Sequence, residues 1–314
     1  MVIRPVDHGI FASSAGGVTG AGYFCGGLGS KTSTVDKFAF PSDSRTTLGT
    51  GLSAATSSLA GFANSGTAGY SGGGNEAAPT GDVTTVDKFA FSDDGRTTLG
   101  TGLSEARRWL GGMANSGTAG YFGGGIDNDN LSTVDKFDFS DDSVSTLGTG
   151  LSAARRIVAG MANSGTAGYY GGGYTTEVVS TVDKFAFSDD SRTTLGTGLS
   201  TNNVGVGAMA NSGTAGYFGA GYGPAWGKVS TVDKFAFSDD SRTTLGTGLT
   251  AATAQPAGMA DSGTAGYFGG GEVSGKVSTV EKFAFSDDSR TTLGTGLSED
   301  RTDLAGFANS ETLA

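Results

Sequence analysis

A phrase of about fifty residues recurs six times along this chain, and few folds can accommodate such a pattern. In its fourth copy it reads ANSGTAGYYGGG from Ala162 to Gly173 and STVDKFAFSDDSRTTLGTGLS from Ser180 to Ser200. The Val-Asp/Glu-Lys-Phe core begins at Val35, Val86, Val134, Val182, Val232 and Val280, so successive copies lie 51, 48, 48, 50 and 48 residues apart. A period near fifty built from short alternating segments predicts a β-propeller with one four-stranded blade per repeat. The repeats run almost the length of the 314-residue chain. One closed domain over 18–314 is therefore expected, with 1–17 as an N-terminal tether or extension.

Within the fourth copy, Ala159-Gly160-Met161-Ala162 is short and small, as an innermost strand at the convergence of blades must be. Asn163-Ser164-Gly165 supplies the positive φ of a tight turn. Thr166–Gly171 is the second strand. Thr181–Phe187 alternates as a third strand, with Val182, Lys184 and Ala186 on one face and Asp183, Phe185 and Phe187 on the other. Ser188–Ser191 turns the chain into an outer strand, Arg192–Leu199. Candidates for the innermost segment number seven against six for the others: Gly9–Ser13 is a poor match, whereas Leu304–Ser310 repeats residues 59–65 letter for letter. The C-terminal segment is thus expected to complete the first blade and close the ring.

Glycine makes up 57 of the 314 residues. Its fixed positions beside aromatic and β-branched residues indicate turns and crowded strands, not low complexity. The formal charge is −11 and no run of Lys or Arg exceeds two residues, so the chain would be repelled by nucleic acid. Cys25 is the sole cysteine and His8 the sole histidine, which argues against an intrachain disulfide, histidine metal sites and histidine triads. No apolar stretch reaches the roughly 18 residues of a spanning helix, so no membrane insertion is expected. The start lacks a secretory pattern, and any extracellular role would follow lysis or a non-standard route of export.

The order of elements resembles the kelch repeat, with a second strand ending in glycines and an aromatic third strand. The chain departs from that pattern in carrying Leu195 and its counterparts where a Trp is usual. The turn Ser188-x-Asp190-x-Arg192-x-Thr194-Leu195 also resembles a degenerate Asp-box of sialidase-like propellers. Both resemblances imply a propeller, and the six copies make it an all-β one of six blades with four antiparallel strands each. Neither implies a chemistry.

The copies differ mainly on one expected rim. Asn-Ser-Gly-Thr and Ser-Asp-Asp-Ser turns are nearly constant, whereas the loops at 75–83, 126–131, 174–179, 222–229 and 272–277 and the blade connections vary. Both tryptophans, Trp109 and Trp226, fall in these variable stretches. Drift alone would vary loops but would not gather both tryptophans there. The residues singled out as ligand contacts are Arg107, Arg108, Trp109, Arg155, Arg156, Tyr174, Tyr222, Trp226 and Arg301.

The Asp pairs of the turns offer too few oxygens for calcium and are expected to cap their own turns. Asp183, Lys184 and their counterparts, identical in every blade, are expected to form structural pairs, with Arg192 or with a neighbouring blade. No nucleophile pair can be assigned, and no cofactor is expected.

The phrases GYFGGG, STVDKF and LSAAR, joined to a Ser-Asp-Asp turn, resemble kelch-type repeats in virion proteins of tailed phages of aquatic bacteria. That resemblance implies a non-enzymatic tail-fibre, baseplate or decoration component, located in the virion. Its expected partners are other virion proteins, through 1–17, or a host-surface glycan or protein. It could self-associate within the particle. A multivalent lectin or adhesin is the alternative, and a sialidase-like hydrolase the second.

Overall fold

The computed structural model describes residues 20–310; the expected tether at 1–17 lies outside the described residues. Six four-stranded antiparallel sheets stand around a central axis, and their inner strands contact one another in a closed circle. Blade 4 shows the unit, with strands Ala159–Asn163, Ala167–Gly171, Val182–Ala186 and Arg192–Thr194 from the axis outward. The outer strand stops well short of the expected Leu199. There Gly198 presses against the lead-in to the third strand, where a Cβ would fall 2.4 Å from the Ser180 carbonyl. Leu199 N–H then donates to that same carbonyl at 2.7 Å.

Closure is as expected. Ala305–Asn309 forms the innermost strand of blade 1, ahead of Ala21–Cys25, Val35–Ala39 and Ser44–Thr47. Phe307 lies opposite Tyr23 and stacks on it with ring centroids 5.2 Å apart. In every blade the second strand is buried throughout. Its two faces meet different neighbours: in blade 1 Tyr23 stacks on Phe91 of blade 2, and Phe24 clusters with Tyr267 and Val280 of blade 6. Cys25 sits in this layer, and burial pushes its thiol up to about 12.

The paired aspartates of the outer turn divide their work. The first caps its own turn: Asp189 Oδ1 accepts the Ser191 N–H at 3.0 Å, and Asp93, Asp141, Asp239 and Asp287 act alike. The second, held at φ between 55° and 57°, reaches back to the preceding blade. There it accepts a tyrosine hydroxyl and a lysine ammonium together. Asp190 binds Tyr121 at 2.9 Å and Lys136 at 2.7 Å, and the pattern repeats at all six blade junctions, including Asp43 with Tyr267 and Lys282 across the closure. Burial and the facing carboxylate raise the tyrosine pKa values well above their ordinary range. Lys184 and its counterparts therefore pair with the neighbouring blade. Hydrogen bonds to charged acceptors contribute about 1.5–3 kcal/mol each when shielded, less at half-exposed sites such as these.

Candidate functional site

Around the axis the inner strands enclose a channel with three stations. At its waist Gly61, Gly112, Gly160, Ala208, Gly258 and Gly306 face one another. A Cβ on Gly160 would lie 2.2 Å from the Gly112 carbonyl, so backbone fills the axis where side chains cannot. One mouth carries the constant turns, whose serines clasp adjacent blades: Ser116 N–H donates to Ser164 Oγ, and Ser164 N–H to Ser212 Oγ, both at 3.0 Å. This mouth widens to a cavity of about 830 Å³.

The opposite mouth is ringed by one residue from each blade connection: Ser58, Trp109, Ile157, Gly205, Gln255 and Asp303. All have φ between 54° and 68°, although only one is glycine. Except at Asp303, their N–H groups donate to the carbonyl of the preceding ring member, as Trp109 does to Ser58 at 2.8 Å and Gln255 to Gly205 at 2.8 Å. The ring imposes the left-handed conformation even on β-branched Ile157, where it is strained.

The variable loops rise around this mouth and bring six of the nine anticipated residues together. Arg108 lies 4.7 Å from the centre of the Trp109 ring and is anchored by Asp82 at 2.5 Å. Arg156 lies 5.9 Å from Trp109 and 4.5 Å from Tyr174, and is anchored by Asn130 at 2.9 Å. Tyr174 is 5.7 Å from Trp226, which meets Tyr222 edge-on at 5.9 Å; Lys228 closes the series 5.8 Å from Tyr222. Cations and rings thus form a continuous ladder over blades 3 to 5, each contact of a kind contributing about 0.5–2 kcal/mol. Trp226 is 53% exposed, the one large apolar side chain so exposed among the described residues. With Tyr174, Thr176, Glu177, Asn202 and Pro224 it borders a groove of about 350 Å³. Trp109 is instead half-buried at the channel mouth.

The other three anticipated residues are not on the rim surface. Arg107, Arg155 and Arg301 are fully buried, and each guanidinium turns into its blade to meet the third-strand aspartate. The distances to Asp135, Asp183 and Asp36 are 3.0, 2.8 and 2.8 Å. This corrects the expectation that they contact a ligand, since the carboxylate buried at this place in every blade must find donors. It also identifies the partner of Asp183: Arg155 from the blade connection, not Arg192.

Sequence reasoning passed over Asp303, whose carboxyl accepts from the Gln255 amide and faces the Trp109 indole. Burial pushes it up to about 6, against the pull of the indole N–H and the Gln255 amide. A carboxyl raised above its unfolded value holds its proton more tightly when folded. Its stabilising share is therefore complete below about pH 4 and lost as pH rises through about 6. Asp303→Asn should remove that slope and raise stability at pH 7 by about 1–3 kcal/mol; urea denaturation between pH 4 and 8 measures it.

Among the described residues no three His, Cys, Asp or Glu side chains are grouped to hold a metal. Comparison of the chain with known protein families and with curated proteins gives no match.

Proposed function

We propose that this propeller is a non-enzymatic recognition module that attaches to a host-surface glycan through the groove beside Trp226. The observation that carries this reading is the exposed Trp226 ring, braced by Tyr174 and Tyr222 and bordered by Glu177, Asn202 and Thr176. A sugar ring has an apolar C–H face and a hydroxyl edge. An aromatic platform with carboxylate, amide and hydroxyl groups at its border complements both. The platform is rigid: Gly223 and Gly227 hydrogen-bond across the turn at 2.8 Å, and the ladder holds its rings. Little side-chain entropy then remains to be lost on binding.

The kelch-like repeats, resembling those of tailed-phage virion proteins, make a tail-fibre, baseplate or decoration component the context that we propose. A lectin with six equal sites is less well supported, because the other blades do not repeat the groove. The sialidase-like alternative would need free arginines to hold a carboxylate, and three candidates are engaged in buried pairs.

Trp226→Ala should weaken attachment at least tenfold, the loss of a ring at an interface centre being worth about 2 kcal/mol or more. Its melting temperature should stay within a few degrees of the parent's. A bacterial-glycan array, read for both binding and released sugar, is the measurement. Equal binding by parent and variant would remove the groove from the reading, and turnover would make the protein an enzyme. Detection of the chain in purified phage particles tests the virion context.

A further inference from the structure

Three blades hold a buried guanidinium in the same niche. In blade 1, Arg301 donates to the carbonyls of Gly26 and Thr34 at 3.1 Å, to that of Phe24 at 3.2 Å and to Asp36 at 2.8 Å. In blade 4, Arg155 donates to Gly172, Tyr170 and Asp183 at 3.0, 3.2 and 2.8 Å. In blade 3, Arg107 donates to the Phe122 carbonyl at 3.2 Å and lies as an ion pair 3.0 Å from Asp135. The niche is thus a fixed acceptor set: the carboxylate after the third-strand valine, and backbone carbonyls around it.

Blade 6 keeps the acceptors and lacks the arginine. Thr253 stands at the arginine position, with its hydroxyl engaged by the Ala251 carbonyl at 2.9 Å. Phe268, Gly270 and Thr279 stand where Phe24, Gly26 and Thr34 do in blade 1, and Glu281 stands where Asp36 does. These four and Thr253 border a cavity of about 200 Å³, larger than the ~150 Å³ engineered cavity that admits benzene. Thr250, Thr279 and Thr292 are exposed at its border, which opens the cavity to solvent. Glu281 is itself buried. It accepts Thr250 N–H at 2.9 and 3.1 Å and the Thr292 hydroxyl at 3.2 Å, with Arg290 Nε 3.9 Å away. A carboxylate offers about four acceptor positions, and these donors leave capacity for one more.

The two other blades without this arginine supply a different donor. In blade 5, Asn203 takes its place and donates to the Ala220 carbonyl at 2.7 Å. In blade 2, where Thr56 replaces it, Arg96 reaches Asp87 at 3.3 Å from the outer strand.

We propose that the blade 6 niche binds an alkylguanidinium from outside the chain, as a free amine-derived cation or an arginine side chain. Its planar fork would donate to Glu281 and to the carbonyls of Phe268 and Gly270, as the chain's own arginines do in blades 1 and 4. A fork of five fixed donors matches this spread of acceptors. A compact ammonium reaches only part of it.

Isothermal titration of the whole chain with agmatine and with the peptide Gly-Arg-Gly tests the proposal, with 1,4-diaminobutane and butylurea as the ammonium and neutral controls. Saturable agmatine binding is expected, at least tenfold weaker for 1,4-diaminobutane and lost for butylurea. Thr253→Arg, which places a tethered guanidinium in the niche, should abolish binding in a folded protein. Glu281→Gln should weaken it at least tenfold. Binding of the peptide as well as agmatine would identify a partner's arginine, and agmatine alone a small molecule; either supports the site. No saturable agmatine binding, or binding undiminished in folded Thr253→Arg, would mean that Glu281 merely occupies the space the arginine vacated.

Discussion

Replacing Phe307 by Ala should lower the free energy of unfolding by about 3–5 kcal/mol, the usual range for a large buried aromatic. Phe307 is 3% exposed and stands on the strand that closes the ring. Its ring stacks on Tyr23 at 5.2 Å and lies 6.0 Å from Phe89 and 6.4 Å from Phe91, so one side chain joins blades 1 and 2. Gly69 makes room for it: a Cβ there would fall 2.1 Å from two Phe307 ring carbons. Gly69→Ala should therefore be destabilising alone and nearly harmless in the Phe307→Ala background, a coupling that only direct contact explains. Equilibrium urea unfolding of both single variants and the double variant gives the coupling energy. Additive costs would separate the two residues. Removing 304–314 altogether should leave blade 1 with an unpaired inner edge and the ring open. Added peptide 303–314 should restore a cooperative transition.

The ring and its closure were legible because both are written as repetition. The last inner-strand copy, Leu304–Ser310, has only one vacant place to go. What joins the blades was harder to read. Tyr121 and Asp190 lie 69 residues apart, and only the register of two blades brings them together. A Ser-Asp-Asp-Ser turn looks locally complete with one aspartate capping it, so the second, outward-reaching aspartate leaves no separate mark. The candidate site was legible in part for a related reason. Variable loops named Tyr174, Tyr222 and Trp226, but nothing local separates Arg155 from Arg156. They are consecutive in one connection and face opposite ways, one into the blade and one across to Tyr174. Asp303 and Glu177 carried no signal, being ordinary acids in loops until the fold placed them at the channel mouth and the groove.

Arg155→Ala should then cost about 3–5 kcal/mol of stability, because it strands Asp183 without its cation in a buried site. Burial works to raise the Asp183 pKa. Arg155, the Thr194 hydroxyl and the Ser152 N–H outweigh it and hold the carboxylate below its ordinary value. A carboxylate depressed on folding stabilises above its unfolded pKa, and that share is lost as pH falls through the folded value. The gap between parent and variant should accordingly be widest near neutrality and narrow below about pH 4, as Asp183 takes a proton. The adjacent Arg156→Ala, which removes a partly exposed guanidinium, should change stability by less than about 1 kcal/mol. Urea denaturation of the two variants at pH 7 and pH 3.5 separates the roles. Similar costs for both, or an Arg155 cost independent of pH, would contradict the buried pair as the reason this arginine is present. The same physics links Arg155 to the blade 6 niche. There Glu281 keeps most of the acceptor set without a tethered arginine, and its longer side chain still accepts from Thr250 and Thr292. Thr253→Arg should make blade 6 resemble blade 4, and its stability should acquire the acid-range pH dependence predicted for the Arg155–Asp183 pair.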